Sequence, residues 1–161
     1  MEVEGLYGNR NIEGGLADKS CTVLTFTGDD GKVLGKLLNI STHPTILSGS
    51  NLMLSADLIG QVRMRLEDAW GVSVVCANGI CGDVSTRFYR QGSGVPELER
   101  TAEELAGQIV AKLTPVAIDL DLPVSGEIRM PVVYDARIDA DCASALERAQ
   151  TDPDVPWNKF I

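Results

Sequence analysis

The chain has 161 residues, a hydrophobic fraction of 44%, a charged fraction of 23% and a formal net charge of −9. That length suits one domain with a sizeable core, and the composition is ordinary for a globular protein. The acidity sets the whole-molecule field against nucleic acid and anionic membrane, and no basic stripe interleaved with aromatics offsets it. No apolar stretch reaches the roughly 20 residues a membrane-spanning helix needs, and Met1 to Gly5 lacks the basic-then-apolar pattern of a secretion signal.

Residues 1–20, rich in glycine, asparagine and charge, carry no period and read as an irregular arm. Cys21 to Thr27 alternates β-branched and apolar residues, Gly28-Asp29-Asp30-Gly31 makes a turn, and residues 32–41 resume the strand pattern. Together they predict a β-hairpin. Its second strand delivers the chain into Thr42-His43-Pro44-Thr45, where Pro44 disfavours helix at His43. Residues 45–54 read as a loop. Ser55 is placed to cap a helix from about Ala56 to Trp70, with Ile59, Val62, Leu66 and Ala69 on one face and Gly71 ending it. Val72 to Ala77 is a short apolar run that predicts a buried strand. Strand, loop, helix and strand in that order form a βαβ unit with a parallel pair.

A second helix opens at Pro96, repeats Leu98, Ala102, Leu105, Ile109 and Leu113 at helical spacing, and stops before Pro115. Ala117 to Leu122 and Glu127 to Tyr134 predict strands, the second at an edge or bulge because of Pro131. Asp139 would cap a short helix through about Gln150. The expected fold is a single α/β domain: a mixed sheet with a β-hairpin and a βαβ crossover, helices packed on the sheet. The chain ends in mid-pattern with Trp157, Phe160 and Ile161. That ending reads as a cut from something longer, its apolar residues packing on further chain or mediating self-association.

Two strand-end loops hold the chemistry. His43 is the only histidine, and imidazole is the commonest general base near neutral pH and a common metal ligand. Any other ligands of a metal there would have to be carboxylates, a tyrosine or groups this chain lacks. The second loop, Asn78 to Ser85, follows the next apolar run. Its Gly79, Gly82 and Asp83 could let backbone N–H groups and the Ser85 hydroxyl approach a substrate oxygen. It is neither a G-x-S-x-G elbow nor a Walker A loop. Ligands of parallel sheets gather beyond the carboxyl ends of the strands, where both loops are expected.

The competing readings are plain ones. His43 would bond a neighbouring loop, the 78–85 segment would be an ordinary turn, and Asp57 would serve the helix dipole rather than a pocket. Arg10 would be a solvated loop arginine or a planar fork for a carbonyl or anion. Arg87 and Arg90, beside Phe88 and Tyr89, read as a solvated rim rather than a phosphate site. Cys21, Cys76, Cys81 and Cys142 show no CxxC spacing; three lie in apolar segments, so buried free thiols are expected ahead of disulfides, a Cys76–Cys81 pair among them, or metal ligation.

Taken in order, Gly8-Asn9-Arg10, the hairpin from Cys21 to Ser41, His43-Pro44-Thr45, Ser55-Ala56-Asp57 and Gly82-Asp83-Val84-Ser85 resemble the neutral, non-lysosomal ceramidase family. The resemblance is clearest over residues 8–114. It implies a zinc-dependent amide hydrolase acting on a ceramide-like lipid amide, with zinc as cofactor. It further implies that His43 is one zinc ligand, that Ser85 is nucleophile or neighbour of the metal-bound water, and that Arg10 lies near the scissile amide. Gly82 and Asp83 would shape the loop at the substrate; Asp57 is a candidate polar contact in the pocket from its position alone.

The family's other zinc ligands come from a Thr-His-Thr-His-Ser-Gly segment upstream and from a distant glutamate and tyrosine downstream. Thr86 stands where many members have proline. The chain is thus expected to be a central slice of such an enzyme, inactive alone because one ligand cannot hold catalytic zinc. The rival expectations are a non-catalytic α/β interaction module that keeps the scaffold, and a hydrolase of a different amide or ester. Compartment is left open.

Overall fold

The computed structural model describes residues 1–118 together with Ala143, Ser144 and Glu147. The chain divides into two compact units, Met1–Ala117 and Ile118–Ile161. In the second unit Ala143, Ser144 and Glu147 are helical, and Ile118 lies outside any regular element. The strands expected at 117–122 and 127–134, the rest of the helix expected at 139–150, Cys142 and the C-terminal Trp157, Phe160 and Ile161 lie outside the described residues, apart from Ala117 and Ile118, which are not in a strand.

The first unit is α/β. Strand β1 (Gly8–Asn9) is followed by the hairpin β2 (Cys21–Thr27) and β3 (Val33–Ile40), helix α1 (Asp57–Trp70), β4 (Val74–Asn78), β5 (Val84–Ser85) and helix α2 (Val95–Lys112). The main sheet is mixed, in the order β2-β3-β4. β2 and β3 pair antiparallel from Cys21↔Ile40, with a bulge at Phe26/Thr27. β3 and β4 pair parallel from Lys36↔Val74 to Ile40↔Asn78. The hairpin turn closes where the Gly28 N–H donates to the Lys32 carbonyl at 2.8 Å. Gly31 adopts φ +78°, a left-handed conformation that favours glycine.

Helix α1 starts one residue later than its pattern predicts. The Ser55 hydroxyl accepts from the Asp57 N–H at 3.0 Å, and Gly71 ends the helix at φ 65° with its N–H on the Glu67 carbonyl. Its buried stripe is Leu58, Val62 and Leu66, an i, i+4, i+8 row, with Ile59 packed at its border. Ala69, expected on that face, is exposed. α2 buries Leu98, Ala102, Leu105 and Ile109, as its spacing predicts. α1 packs against β4, and α2 packs against α1.

The first twenty residues contain little regular structure, yet they belong to the core. Val3, Leu6 and Tyr7 are buried with Leu38, Ile40, Val62, Leu66 and Leu105. Burial pushes the Tyr7 phenol well above its ordinary range. The lack of any period in this arm left these contacts unmarked in the sequence. Cys21 is buried, Cys76 and Cys81 are half-buried, and all three are free thiols. Among the described residues no helix is long and apolar enough to cross a membrane.

Candidate functional site

β3 and β4 run parallel, so their carboxyl ends leave the sheet at the same edge. The chain beyond β3 continues through Ser41 and Thr42 to His43, and the chain beyond β4 turns at 79–83 and returns as β5. The two meet again: His43 and Ser85 form an isolated parallel bridge, with the His43 N–H donating to the Val84 carbonyl at 2.9 Å. The opposite edge of β5 pairs antiparallel with β1, Gly8↔Ser85 and Asn9↔Val84. The ladder carries on to Arg10, whose N–H donates to the Asp83 carbonyl at 2.7 Å. Two segments far apart in sequence, the His43 loop and the β1–Arg10 segment, thus converge on β5.

Local packing explains the convergence. A Cβ at Gly79 would collide with the Ser41 hydroxyl, and one at Gly8 would lie 2.6 Å from the Tyr89 hydroxyl. Both glycines therefore allow neighbouring chain to pass closely. Ser41 is itself held by donation to the Asp18 carboxylate at 3.1 Å. Hydrogen bonding from Ser20, and more weakly from Ser41, holds that carboxyl below the usual range. The Val84 N–H returns to the Cys81 carbonyl at 3.0 Å, closing a turn with Gly82 and Asp83 at its centre. Gly82 is not left-handed and nothing lies within 4 Å of a Cβ built on it. The Asp83 carboxylate accepts from the Asn9 amide at 3.4 Å. Gly82 and Asp83 are exposed and stand outside the adjacent cavity.

Asp57 is buried and engaged with backbone. Its carboxylate accepts the N–H groups of Ile46 at 3.0 Å, Leu47 at 2.8 Å and Leu58 at 2.7 Å. It holds the segment after His43 against the start of α1, with φ +47°, an uncommon value outside glycine. Asp57 does not line the cavity.

That cavity, of about 340 Å³, opens beside the convergence. Its walls include Arg10 from beyond β1, Thr45 from the His43 loop, and Ser85, Thr86, Arg87 and Arg90 from the β5 loop. Ser85 is buried, and its Oγ accepts from the Arg87 N–H at 3.2 Å. Arg90 donates to the Thr45 carbonyl at 2.7 Å, tying the two loops together. Arg87 donates to the Arg10 carbonyl at 3.3 Å. Arg87, exposed, and Arg90, half-buried, keep the expected rim position and border this cavity. Thr42 and Thr86, the residues flanking His43 and Ser85, carry buried hydroxyls with no hydrogen-bond partner among the described residues. Nothing in the sequence marks these two threonines, since a buried hydroxyl is recognised only from its surroundings.

His43 is half-buried and lies outside the cavity lining. Among the described residues no group of three or more His, Cys, Asp or Glu side chains is arranged to hold a metal ion. Zinc sites take three or four such ligands. The donor set within the described residues therefore does not fit zinc; His43 could serve only as one member of a larger set.

No family model and no curated protein matches the chain. Solved structures do. The fold is similar to that of a ceramidase complexed with C2, at TM-score 0.56 and 19% identity, covering 69% of this chain and 20% of that one. It is likewise similar to the neutral ceramidase from Pseudomonas aeruginosa, at TM-score 0.56 and 18% identity, covering 69% and 21%. The chain spans about a fifth of the ceramidase chains it matches. Over the matched part, this chain has a ceramidase-like fold.

Proposed function

We propose that this chain is a segment of the catalytic domain of an amide hydrolase of the neutral ceramidase type, and that it contributes His43, Ser85 and Arg10 to the active site. The observation that carries this reading is the assembly on β5, with the His43 loop bridged to Ser85 and the Arg10 segment paired on the other side. Ceramidase-like topology supports the same assignment. The substrate in this reading is a lipid amide.

The residues divide the work by chemistry. Arg10 offers a planar, permanently charged fork for the oxygen that gains charge when the amide carbonyl is attacked. Ser85 presents a hydroxyl fixed by its buried position and by the Arg87 N–H. The β5 ladder and the Asp57 contacts keep these groups at fixed spacing, which is the entropy advantage of a preformed site. His43 contributes one imidazole to a zinc ligand set completed by residues beyond those described here. Taken alone, the 161-residue chain is inactive and binds zinc weakly.

The test compares zinc content and N-acylsphingosine hydrolysis in a full-length enzyme containing this segment with those of His43→Ala, Ser85→Ala and Arg10→Ala variants. Arg10→Ala should lower kcat roughly 100-fold or more, the scale of losing one transition-state donor. His43→Ala should lose zinc. Unchanged metal content and rate in the variants would remove these residues from the mechanism.

A further inference from the structure

The side chains around the cavity point to the charge of its ligand. In a chain of net charge −9, three arginines, Arg10, Arg87 and Arg90, line one concavity of about 340 Å³, and no carboxylate lines it among the described residues. Among the described residues none of the three joins an ion pair, although Arg63, Arg65 and Arg100 all do. The Arg10 guanidinium has no hydrogen-bond partner among the described residues, while Arg87 and Arg90 each donate through one nitrogen to main-chain carbonyls. A guanidinium has five N–H donors, so most of this donor capacity is unspent. Thr86, 1% exposed, adds to the same wall a hydroxyl with no hydrogen-bond partner among the described residues. Like charges gathered at one place repel, and a buried hydroxyl without a partner costs about 1–3 kcal/mol. A single oxyanion relieves both.

We propose that the cavity bounded by Arg10, Ser85, Thr86, Arg87 and Arg90 binds the oxyanion group, carboxylate or phosphate, of an anionic ligand. Arginine forks match both groups in bidentate geometry. The site goes beyond the hydrolase reading and stands on the cavity alone. Only its extension rests on that reading: the lipid amide would then carry an acidic group near its scissile bond, unlike neutral ceramide.

The test is titration of the 161-residue chain with inorganic phosphate and, separately, with hexanoate, followed by NMR shifts of the amides of residues 85–90. No turnover is required, so failure of the hydrolase reading leaves this result intact, and the converse also holds. Saturable shifts by about 20 mM are expected, weakened roughly tenfold in Arg10→Gln and in Arg87→Gln. Thr86→Val, which keeps the shape, should weaken binding severalfold. Arg63→Gln, with the same change in net charge, should leave it unaltered. Saturation by phosphate alone identifies a tetrahedral group and saturation by hexanoate a planar one; either upholds the site. Linear, unsaturating shifts, or equal weakening in Arg63→Gln, would overturn it.

Discussion

Asp57 gives the sharpest test of how the site is held. Its carboxylate takes three backbone N–H groups, those of Ile46, Leu47 and Leu58. Ile46 and Leu58 are fully buried, so water cannot readily replace the lost acceptor. Each hydrogen bond to a charged acceptor is worth about 1.5–3 kcal/mol, and an orphaned buried donor costs about 1–3 kcal/mol. Because the three bonds share one carboxylate, their losses do not add in full. Alanine also fits the φ of +47° poorly, at about 1 kcal/mol. Asp57→Ala should therefore destabilise the chain by about 4 kcal/mol. Asparagine tolerates left-handed φ and retains one acceptor oxygen. It can keep the bonds from Ile46 and Leu58 and lose the one from Leu47, for about 2 kcal/mol. Urea unfolding followed by tryptophan fluorescence measures both, with the midpoint moving and the slope unchanged. If alanine falls within about 0.5 kcal/mol of the wild type, or if the two variants cost the same, the carboxylate does not hold the His43 loop.

Three further outcomes follow from the same contacts. Arg100 hydrogen-bonds the buried Glu97 carboxyl and, with the Gln91 N–H and Thr101, holds its pKa down to about 2, burial opposing. A depressed carboxylate stabilises above its usual pKa near 4.5 and loses that contribution as pH falls toward 2. Glu97→Gln should thus cost about 2 kcal/mol at neutral pH, allowing for solvent at the partly exposed Arg100, and the gap to wild type should close in acid melts. Gly79→Ala should cost about 1–3 kcal/mol through its collision with Ser41, and adding Ser41→Ala should recover part of that loss in denaturant melts. Burial pushes the Cys21 thiol up to about 11, so native protein at mildly alkaline pH should resist iodoacetamide at Cys21 until denatured, as mass mapping would show.

Patterning alone determined the regular elements. The alternation of Cys21 to Thr27, the Gly28-to-Gly31 turn and the 3.6-residue spacing of Leu98 to Ile109 each act within a few residues, so they are readable without the rest of the chain. The βαβ order likewise placed His43 and the 78–85 loop beyond the ends of parallel strands, where they lie. The arm of residues 1–20 was beyond that logic. Val3, Leu6 and Tyr7 have no period, and their burial depends on partners such as Leu38 and Leu105. Arg87 and Arg90 show the same boundary at the site: the sequence reads them as a rim, and only the path of the backbone shows that this rim borders a cavity. Asp57 looked like a residue serving the helix dipole, and only the approach of Ile46 and Leu47 made it a clamp. Local sequence decides which elements form because its interactions are short in range. Tertiary structure decides which polar groups lose water and which charges face one cavity, because those depend on chain segments that meet only after folding.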